Sequence, residues 1–254
     1  MKNFKKNIMT NQSQNTRVIV SIDNYNLESD NRLLIPFLET RYTQNKWGLF
    51  DKEGNVVVDA KYDTMLNEFY SSDDIVLVGT LYPHGYARSG GRVASYVKYK
   101  YNAIDVDGNI INETAVDDII ISTDKKLLTL KNELSYAVCD RSGQIIVPFG
   151  KYSRIDGYHA GLARAINYNN QFGVINESGE EVIPFIYHRI WKFYGSEYDS
   201  MIVEEWDETS EQRQMEDGQP QKKVRRYKIY FDDLSTRIPV DVKPHSGPRP
   251  IATL

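Results

Sequence analysis

Trp47-Gly48-Leu49-Phe50-Asp51-Lys52-Glu53-Gly54-Asn55-Val56-Val57-Val58-Asp59-Ala60-Lys61-Tyr62-Asp63 decides how the chain is read, because its plan recurs downstream. The copies align on Gly54, Gly108, Gly143 and Gly179. Seven residues before each glycine stands an aromatic ring, Trp47, Tyr101, Tyr136 or Phe172. A small residue follows three of these rings, as Gly48, Ala137 or Gly173. Three residues before each glycine comes Asp51, Asp105, Asp140 or Asn176. Apolar, largely β-branched runs follow the glycines, and Tyr62, Tyr152 and Tyr187 close three of the copies.

One such unit reads as a β-hairpin, since two short runs rich in Val, Ile and aromatics flank an Asp/Asn-x-x-Gly turn. The acidic or amide side chain accepts a hydrogen bond from the turn backbone, and glycine supplies the positive φ. Pro148 and Pro184, after the second run of the last two copies, remove a ladder donor and are expected to end the pairing there. A lone hairpin is marginal in water, so several must stack to bury their aromatic and β-branched faces. The expectation is an all-β tandem-repeat fold of about six degenerate hairpin units, each with three or four strands. A propeller-like ring is favoured over an open stacked array because closure removes exposed strand edges.

Lys46-Trp47-Gly48-Leu49-Phe50-Asp51-Lys52-Glu53-Gly54 followed by Tyr62-Asp63 resembles the WG (or KWG) repeat found in many bacterial proteins. Only the first copy keeps the literal dipeptide; Tyr136-Ala137 and Phe172-Gly173 are conservative departures, and Tyr101-Asn102 is a poorer one. The resemblance implies a tandem β-repeat architecture. It implies no reaction and no catalytic residues.

Residues 1–16 are polar and expected to be at least partly disordered, 17–243 form the repeat domain with its clear copies at about 46–191, and 244–254 are a Pro-rich tail. Arg32-Leu33-Leu34-Ile35-Pro36-Phe37 echoes Glu180-Glu181-Val182-Ile183-Pro184-Phe185 and suggests a divergent first unit. Ile229 to Val240 reads as a degenerate last hairpin, and Tyr62 to Tyr70 has room for a short turn of helix. Strand-like runs at Asp74–Tyr82 and Arg92–Tyr99 stretch the spacing between the first two copies, with Pro83 to Gly91 read as the loop joining them.

The chain has 254 residues, a net charge of −4 and 26% charged residues. An acidic balance argues against broad nucleic-acid or membrane-surface binding while leaving room for a local basic patch. No apolar window approaches a membrane span and the basic N-terminus lacks a secretory apolar run, so a cytoplasmic location is expected. The single cysteine, Cys139, fills the slot of Phe50, Ile104 and Ile175 and is expected to pack as a small buried hydrophobe.

His84, His159, His188 and His245 are scattered without metal-ligand spacing, so neither a metal nor a cofactor is expected. Asp105-Val106-Asp107-Gly108-Asn109 mimics the start of a calcium loop, but Asp105 and Gly108 occupy the turn slots of the repeat. No nucleophile elbow, phosphate loop or dinucleotide fingerprint appears. The expected function is therefore non-catalytic protein binding, for instance as an intracellular inhibitor or immunity-type partner of another bacterial protein. A glycan- or small-ligand-binding module is the alternative, and a hydrolase assembled from loops comes third. Candidate binding residues are Tyr82, His84, Tyr86, Arg88 and Arg92 in the insertion, and Glu204, Glu205, Trp206 and Asp207 near the C-terminal end. Tyr158 and Tyr168, off the repeat slots, are further surface candidates, whereas Trp47, Tyr136 and Phe172 are assigned to packing.

Overall fold

The computed structural model describes residues 15–18, 34–41, 44–51, 53–66, 74–89, 92–191, 199–207, 213–214, 220–221 and 224–240. The tail 244–254, most of the N-terminal segment and Asn67–Tyr70 lie outside the described residues. Asn15 and Thr16, assigned from the sequence to the disordered segment, belong instead to a strand. The chain divides into two compact units, Met1–Ala160 and Gly161–Leu254.

In the first unit, β1 (Asn15–Val18), β2 (Ile35–Arg41), β3 (Gln44–Phe50) and β4 (Val56–Tyr62) form a sheet in chain order. Next come β5 (Thr64–Leu66), β6 (Ile75–Ser89) and β7 (Arg92–Asp105), which make a three-stranded sheet. Then β8 (Asp118–Ile121), β9 (Leu127–Asn132), β10 (Ser135–Asp140) and β11 (Ile145–Val147) make another sheet of four, followed by β12 (Arg154–Ile155). In the second unit, β13 (Leu162–Ile166), β14 (Phe172–Asn176) and β15 (Glu181–Tyr187) pair in order. After β16 (Arg189–Ile190) and β17 (Ser200–Trp206), a small ribbon of β18 (Arg213–Gln214) and β19 (Pro220–Gln221) intervenes. The chain then returns as β20 (Val224–Tyr230) and β21 (Asp233–Pro239), giving the sheet order β16-β17-β20-β21. The fold is all-β, built of small antiparallel sheets, with no helix among the described residues.

The four aligned turns share one hydrogen-bond pattern. Each first residue donates its N–H to, and receives at its side chain the N–H of, the residue four positions on. Asn55, Asn109, Gln144 and Glu180 donate to Asp51, Asp105, Asp140 and Asn176 at 2.7, 2.8, 3.0 and 2.9 Å. Gly54, Gly108, Gly143 and Gly179 sit at φ of +90°, +85°, +85° and +75°, where a Cβ is strained. Hydrogen bonding holds two of the turn carboxyls below their ordinary pKa, with the Asn55 side chain the main cause at Asp51 and Ser142 at Asp140. A fifth copy of this turn joins β13 to β14. Gln171 donates to the Asn167 side chain at 2.9 Å, and Asn170, at φ +60°, stands in the glycine slot. A glycine-anchored alignment passes over it because asparagine is the other residue that tolerates left-handed backbone.

Successive units nest through these turns. A Cβ on Gly108 would lie 3.0 Å from Val57 Cγ1, and one on Gly143 would lie 2.4 Å from the Ile111 carbonyl oxygen. Val57 and Ile111 each stand three residues after the turn glycine of the preceding unit. The turn of one hairpin therefore rests on the second run of the hairpin before it. Nothing lies within 4 Å of a Cβ on Gly54, so the first turn lacks this support.

The aromatic slot pairs with the closing position of its own hairpin. Trp47 is opposite Tyr62, Phe172 is opposite Tyr187, and Tyr101 bridges Val116 at the same sequence separation. The closing tyrosines Tyr62, Tyr152 and Tyr187 are buried, whereas Trp47, Tyr101, Tyr136 and Phe172 are half-buried. The packing role expected of these rings is thus at the margin of the core. The interior itself is made by the residues that follow them, Leu49, Ile104, Ala137, Cys139, Val174 and Ile175.

The small residue after the ring has a physical partner. A Cβ on Gly48 would meet Phe37 Cζ at 2.4 Å and the Val58 carbonyl oxygen at 2.6 Å, and one on Gly173 would meet the Phe185 ring at 2.7 Å. Both phenyl groups come from Ile-Pro-Phe triplets, Ile35–Phe37 and Ile183–Phe185. Asn102 occupies the same slot in the second copy, where its Nδ2 donates to the Asn112 carbonyl oxygen at 2.7 Å and the side chain is 9% exposed. Asn112 in turn accepts from the Ala103 N–H and donates to the Tyr101 and Thr114 carbonyls. A satisfied buried amide network thus stands in for the phenyl–glycine contact.

Candidate functional site

Two surfaces carry the residues singled out from the sequence, one in each unit. The first is the β6–β7 hairpin. β5 pairs with β6 only from Leu66↔Leu77 to Thr64↔Gly79. Beyond that point β6 and β7 continue together from Thr80↔Lys100 to Ser89↔Arg92. The segment read from the sequence as a joining loop, Pro83 to Gly91, is therefore largely ladder, with only Gly90 and Gly91 outside the described residues. Proline is accommodated by a bulge: Pro83 pairs with Val97 and Gly85 with Tyr96, leaving His84 without a rung. The backbones of His84, Tyr86, Arg88 and Arg92 thus lie in the two strands. At the root of this arm, Leu81, Tyr82 and Tyr99 are exposed, Tyr82 to 53%. Lys100 lies 5.9 Å from the Tyr82 ring centroid.

The second surface is the sheet β16-β17-β20-β21. Met201, Val203 and Ile229 point into the core of the second unit with Ile190. Period-two alternation places Ile202, Glu204 and Trp206 on the opposite side, with Arg226 and Lys228 beside them. Across this side runs the row Arg189–Glu204–Arg226, set by the pairings Arg189↔Glu204 and Glu204↔Arg226. Arg226 Nε donates to Glu204 Oε1 at 2.5 Å. Trp191 and Trp206 lie on either side of this row, 45% and 41% exposed, and Ile238 on β21 is 44% exposed. The Arg189 guanidinium sits 4.6 Å from the Trp191 ring centroid, and the His188 and Trp206 ring centroids lie 3.8 Å apart with the rings tilted by 33°.

The acidic candidates Glu204, Glu205 and Asp207 are all engaged by arginines. Glu204 is only 4% exposed and is neutralised by Arg226, so it offers no free carboxylate. Glu205 lies 3.7 Å from Arg237, and Asp207 is ion-paired with Arg225. Opposite charges on β17 and β20 face each other, Glu204 opposite Arg226 and Glu205 opposite Arg225, and they act within the sheet. Tyr158 is buried at 4% exposure and leaves the surface candidates, while Tyr168 is 62% exposed. The sequence reading passed over Trp191, Arg189 and His188. Their signal was positional, since all three follow directly on the closing Tyr187 that ends the β15 hairpin.

Among the described residues no group of three or more His, Cys, Asp and Glu side chains is placed to hold a metal ion. Cys139 is fully buried, and burial pushes its thiol up to about 11, so it is neither exposed nor a thiolate at neutral pH. No helix of the described residues is long and apolar enough to cross a membrane.

A search of the curated proteins returns no match. Among solved structures, the crystal structure of a eukaryotic initiation factor is similar over 83% of this chain, at 8% sequence identity and a TM-score of 0.42. The match spans about half of that protein, 52% of its chain, and at this TM-score it does not establish a shared fold. A family model described as the WG containing repeat matches residues 47–78, 136–170 and 172–198. These segments hold the Trp47–Tyr62 and Phe172–Tyr187 pairs and the glycine-bearing turn of Asp140, and over them the chain matches the WG containing repeat.

Proposed function

We propose that this protein is a non-catalytic protein-binding repeat module whose contact surface is the outer side of the β16-β17-β20-β21 sheet. The observation that carries this reading is the exposure of Trp191, Trp206 and Ile238 around the Glu204–Arg226 ion pair, with Arg189 exposed beside it. Trp and Arg are among the residues most enriched at interface hot spots, and the Glu204 carboxylate, buried and already paired with Arg226, needs no further desolvation. A cluster of exposed apolar groups on one sheet face calls for a partner. The arrangement of the sheets into a propeller-like ring belongs to this reading too, and small-angle scattering distinguishes a compact ring from an extended array.

The test is affinity capture from native lysate with the full chain and with Trp206→Ala, Trp191→Ala and Arg189→Ala, each checked for folding. A stoichiometric protein held by the parent and lost by the variants supports the reading. A protein retained equally by all four, or retention of glycan alone, overturns it; the latter result favours the glycan-binding alternative, for which exposed indoles are equally suited.

A further inference from the structure

Two arginines occupy the same repeat slot, two residues after a closing tyrosine. Arg154 follows Tyr152 and Arg189 follows Tyr187. Each opens a two-residue strand, β12 or β16, whose second residue, Ile155 or Ile190, is fully buried. Arg154 Nε donates to the Asp156 carboxylate at 3.0 Å, so its charge is met two residues along the chain. In the later copy Trp191 stands where Asp156 would, and an indole cannot accept that bond. The Arg189 guanidinium is held over the Trp191 ring instead, and it forms no ion pair among the described residues.

The surroundings of Arg189 decide what can meet it. Glu204, its neighbour across β17, is taken by Arg226 Nε at 2.5 Å. At the far end of the sheet Asp199 and Asp233 accept bonds from Ser200 and Ser235. Trp191 donates its backbone N–H to the Ile202 carbonyl at 2.9 Å, and the same side continues through Lys228, opposite Ile202, to Ile238. Arg189 is thus an exposed cation set among apolar groups. A guanidinium over an indole keeps its fork of N–H donors for a carboxylate, which it binds in bidentate fashion. One such cation beside a closed Glu204–Arg226 pair is too little for a polyanion, whose affinity is built from many phosphate contacts. We therefore infer that Arg189, over Trp191, receives an Asp or Glu side chain of the protein partner, with apolar neighbours of that side chain resting on Trp191, Trp206 and Ile238. This assignment rests on the sheet surface proposed above and reverses the charge that Glu204, Glu205 and Asp207 suggest in the sequence.

The experiment is selection of random phage-displayed peptides on the immobilised full chain, followed by fluorescence anisotropy of the recovered sequences as labelled synthetic peptides. Peptides carrying Asp or Glu between apolar residues are expected. They should bind Arg189→Gln about tenfold more weakly than the parent, with the thermal midpoint retained because Arg189 is exposed. Salt should weaken binding to the parent and affect Arg189→Gln less. Trp191→Asp, which rebuilds the Arg154–Asp156 arrangement within the chain, should bind more weakly than Trp191→Asn; both lack the indole, and only the first supplies an internal carboxylate. Basic or neutral peptides that lose affinity in Trp206→Ala would overturn the carboxylate assignment and leave the surface reading standing. Peptides indifferent to Arg189→Gln, Trp191→Asn and Trp206→Ala alike, or a selection that recovers none, would overturn both. Galacturonate oligomers that bind as tightly, with the same dependence on Arg189, would overturn the polypeptide partner.

Discussion

Lys100 Nζ donates to the Asp117 carboxylate at 2.8 Å, and Lys46 is paired with Asp63 in the same way. In each case the lysine precedes the ring of the aromatic slot and the aspartate follows its cross-strand partner. The pair fastens the start of one repeat hairpin to its end. Burial pushes the Asp117 carboxyl up, but hydrogen bonds from Lys100 and the Glu133 N–H outweigh it and hold it below the ordinary carboxylate value.

A carboxyl whose pKa is depressed on folding contributes stability above its unfolded value, and that contribution is lost as pH falls through the folded value. We expect Lys100→Met to cost about 1 to 2 kcal/mol at neutral pH, more than a fully exposed pair would, because both side chains are largely buried. The difference between Lys100→Met and the parent should shrink as pH falls below the ordinary carboxylate range and through the depressed folded value of Asp117. Urea unfolding across pH checks this, and a pH-independent difference would assign the effect to lost packing of the lysine stem.

Gly48 and Gly54 separate two uses of glycine. Gly48→Ala places a Cβ against Phe37 and the Val58 carbonyl, and we expect a loss of about 1 to 3 kcal/mol from overpacking. Phe37→Leu should recover part of it. Gly54→Ala meets no atom and should lose about 1 to 2 kcal/mol from left-handed backbone alone. Gly54→Asn should be milder, and Phe37→Leu should leave the Gly54 variants unrelieved in the same denaturation assay.

Tyr187 is fully buried and its hydroxyl has no hydrogen-bond partner among the described residues. Burying an unpaired hydroxyl costs free energy, so Tyr187→Phe is expected to stabilise the fold by about 1 kcal/mol. The Phe172 pairing and the Arg237 guanidinium 5.2 Å above the ring both remain available to phenylalanine. A loss of stability on this change would show that the hydroxyl has a favourable role.

Trp47 packs at the edge of the cluster containing Leu49, Val58 and Tyr62 and is half-buried. Trp47→Ala should therefore cost about 2 kcal/mol, short of the roughly 3 to 5 expected for a fully buried ring. Equilibrium unfolding of this variant beside Leu49→Ala, with Leu49 fully buried, should rank Leu49 as the costlier truncation.

Cys139 should resist alkylation by iodoacetamide in the native protein and react only as fast as the surrounding β10 strand opens. Burial raises the thiol to about 11 and removes it from solvent. Native-state modification at the rate of a free thiol would contradict the buried placement.

The repeat was legible because its physics is local. Asp51, Asp105, Asp140 and Asn176 bond to backbone only a few residues away, and the positive φ of each following glycine is demanded by the same turn. The alternation that hides Leu49 and Val174 is likewise written in consecutive residues, so strands, turns and the all-β class follow from the chain alone. Tertiary structure decided the rest. Glu204 looks like acidic surface until Arg226, far along the chain, arrives opposite it; Pro83 looks like a loop residue until the bulge at His84 lets the ladder continue. Trp191 and Trp206 meet the Arg189–Glu204–Arg226 row only because β16, β17 and β20 pair in that register. Register is a long-range property set by which strands bury their apolar faces together, and no window of sequence contains both partners.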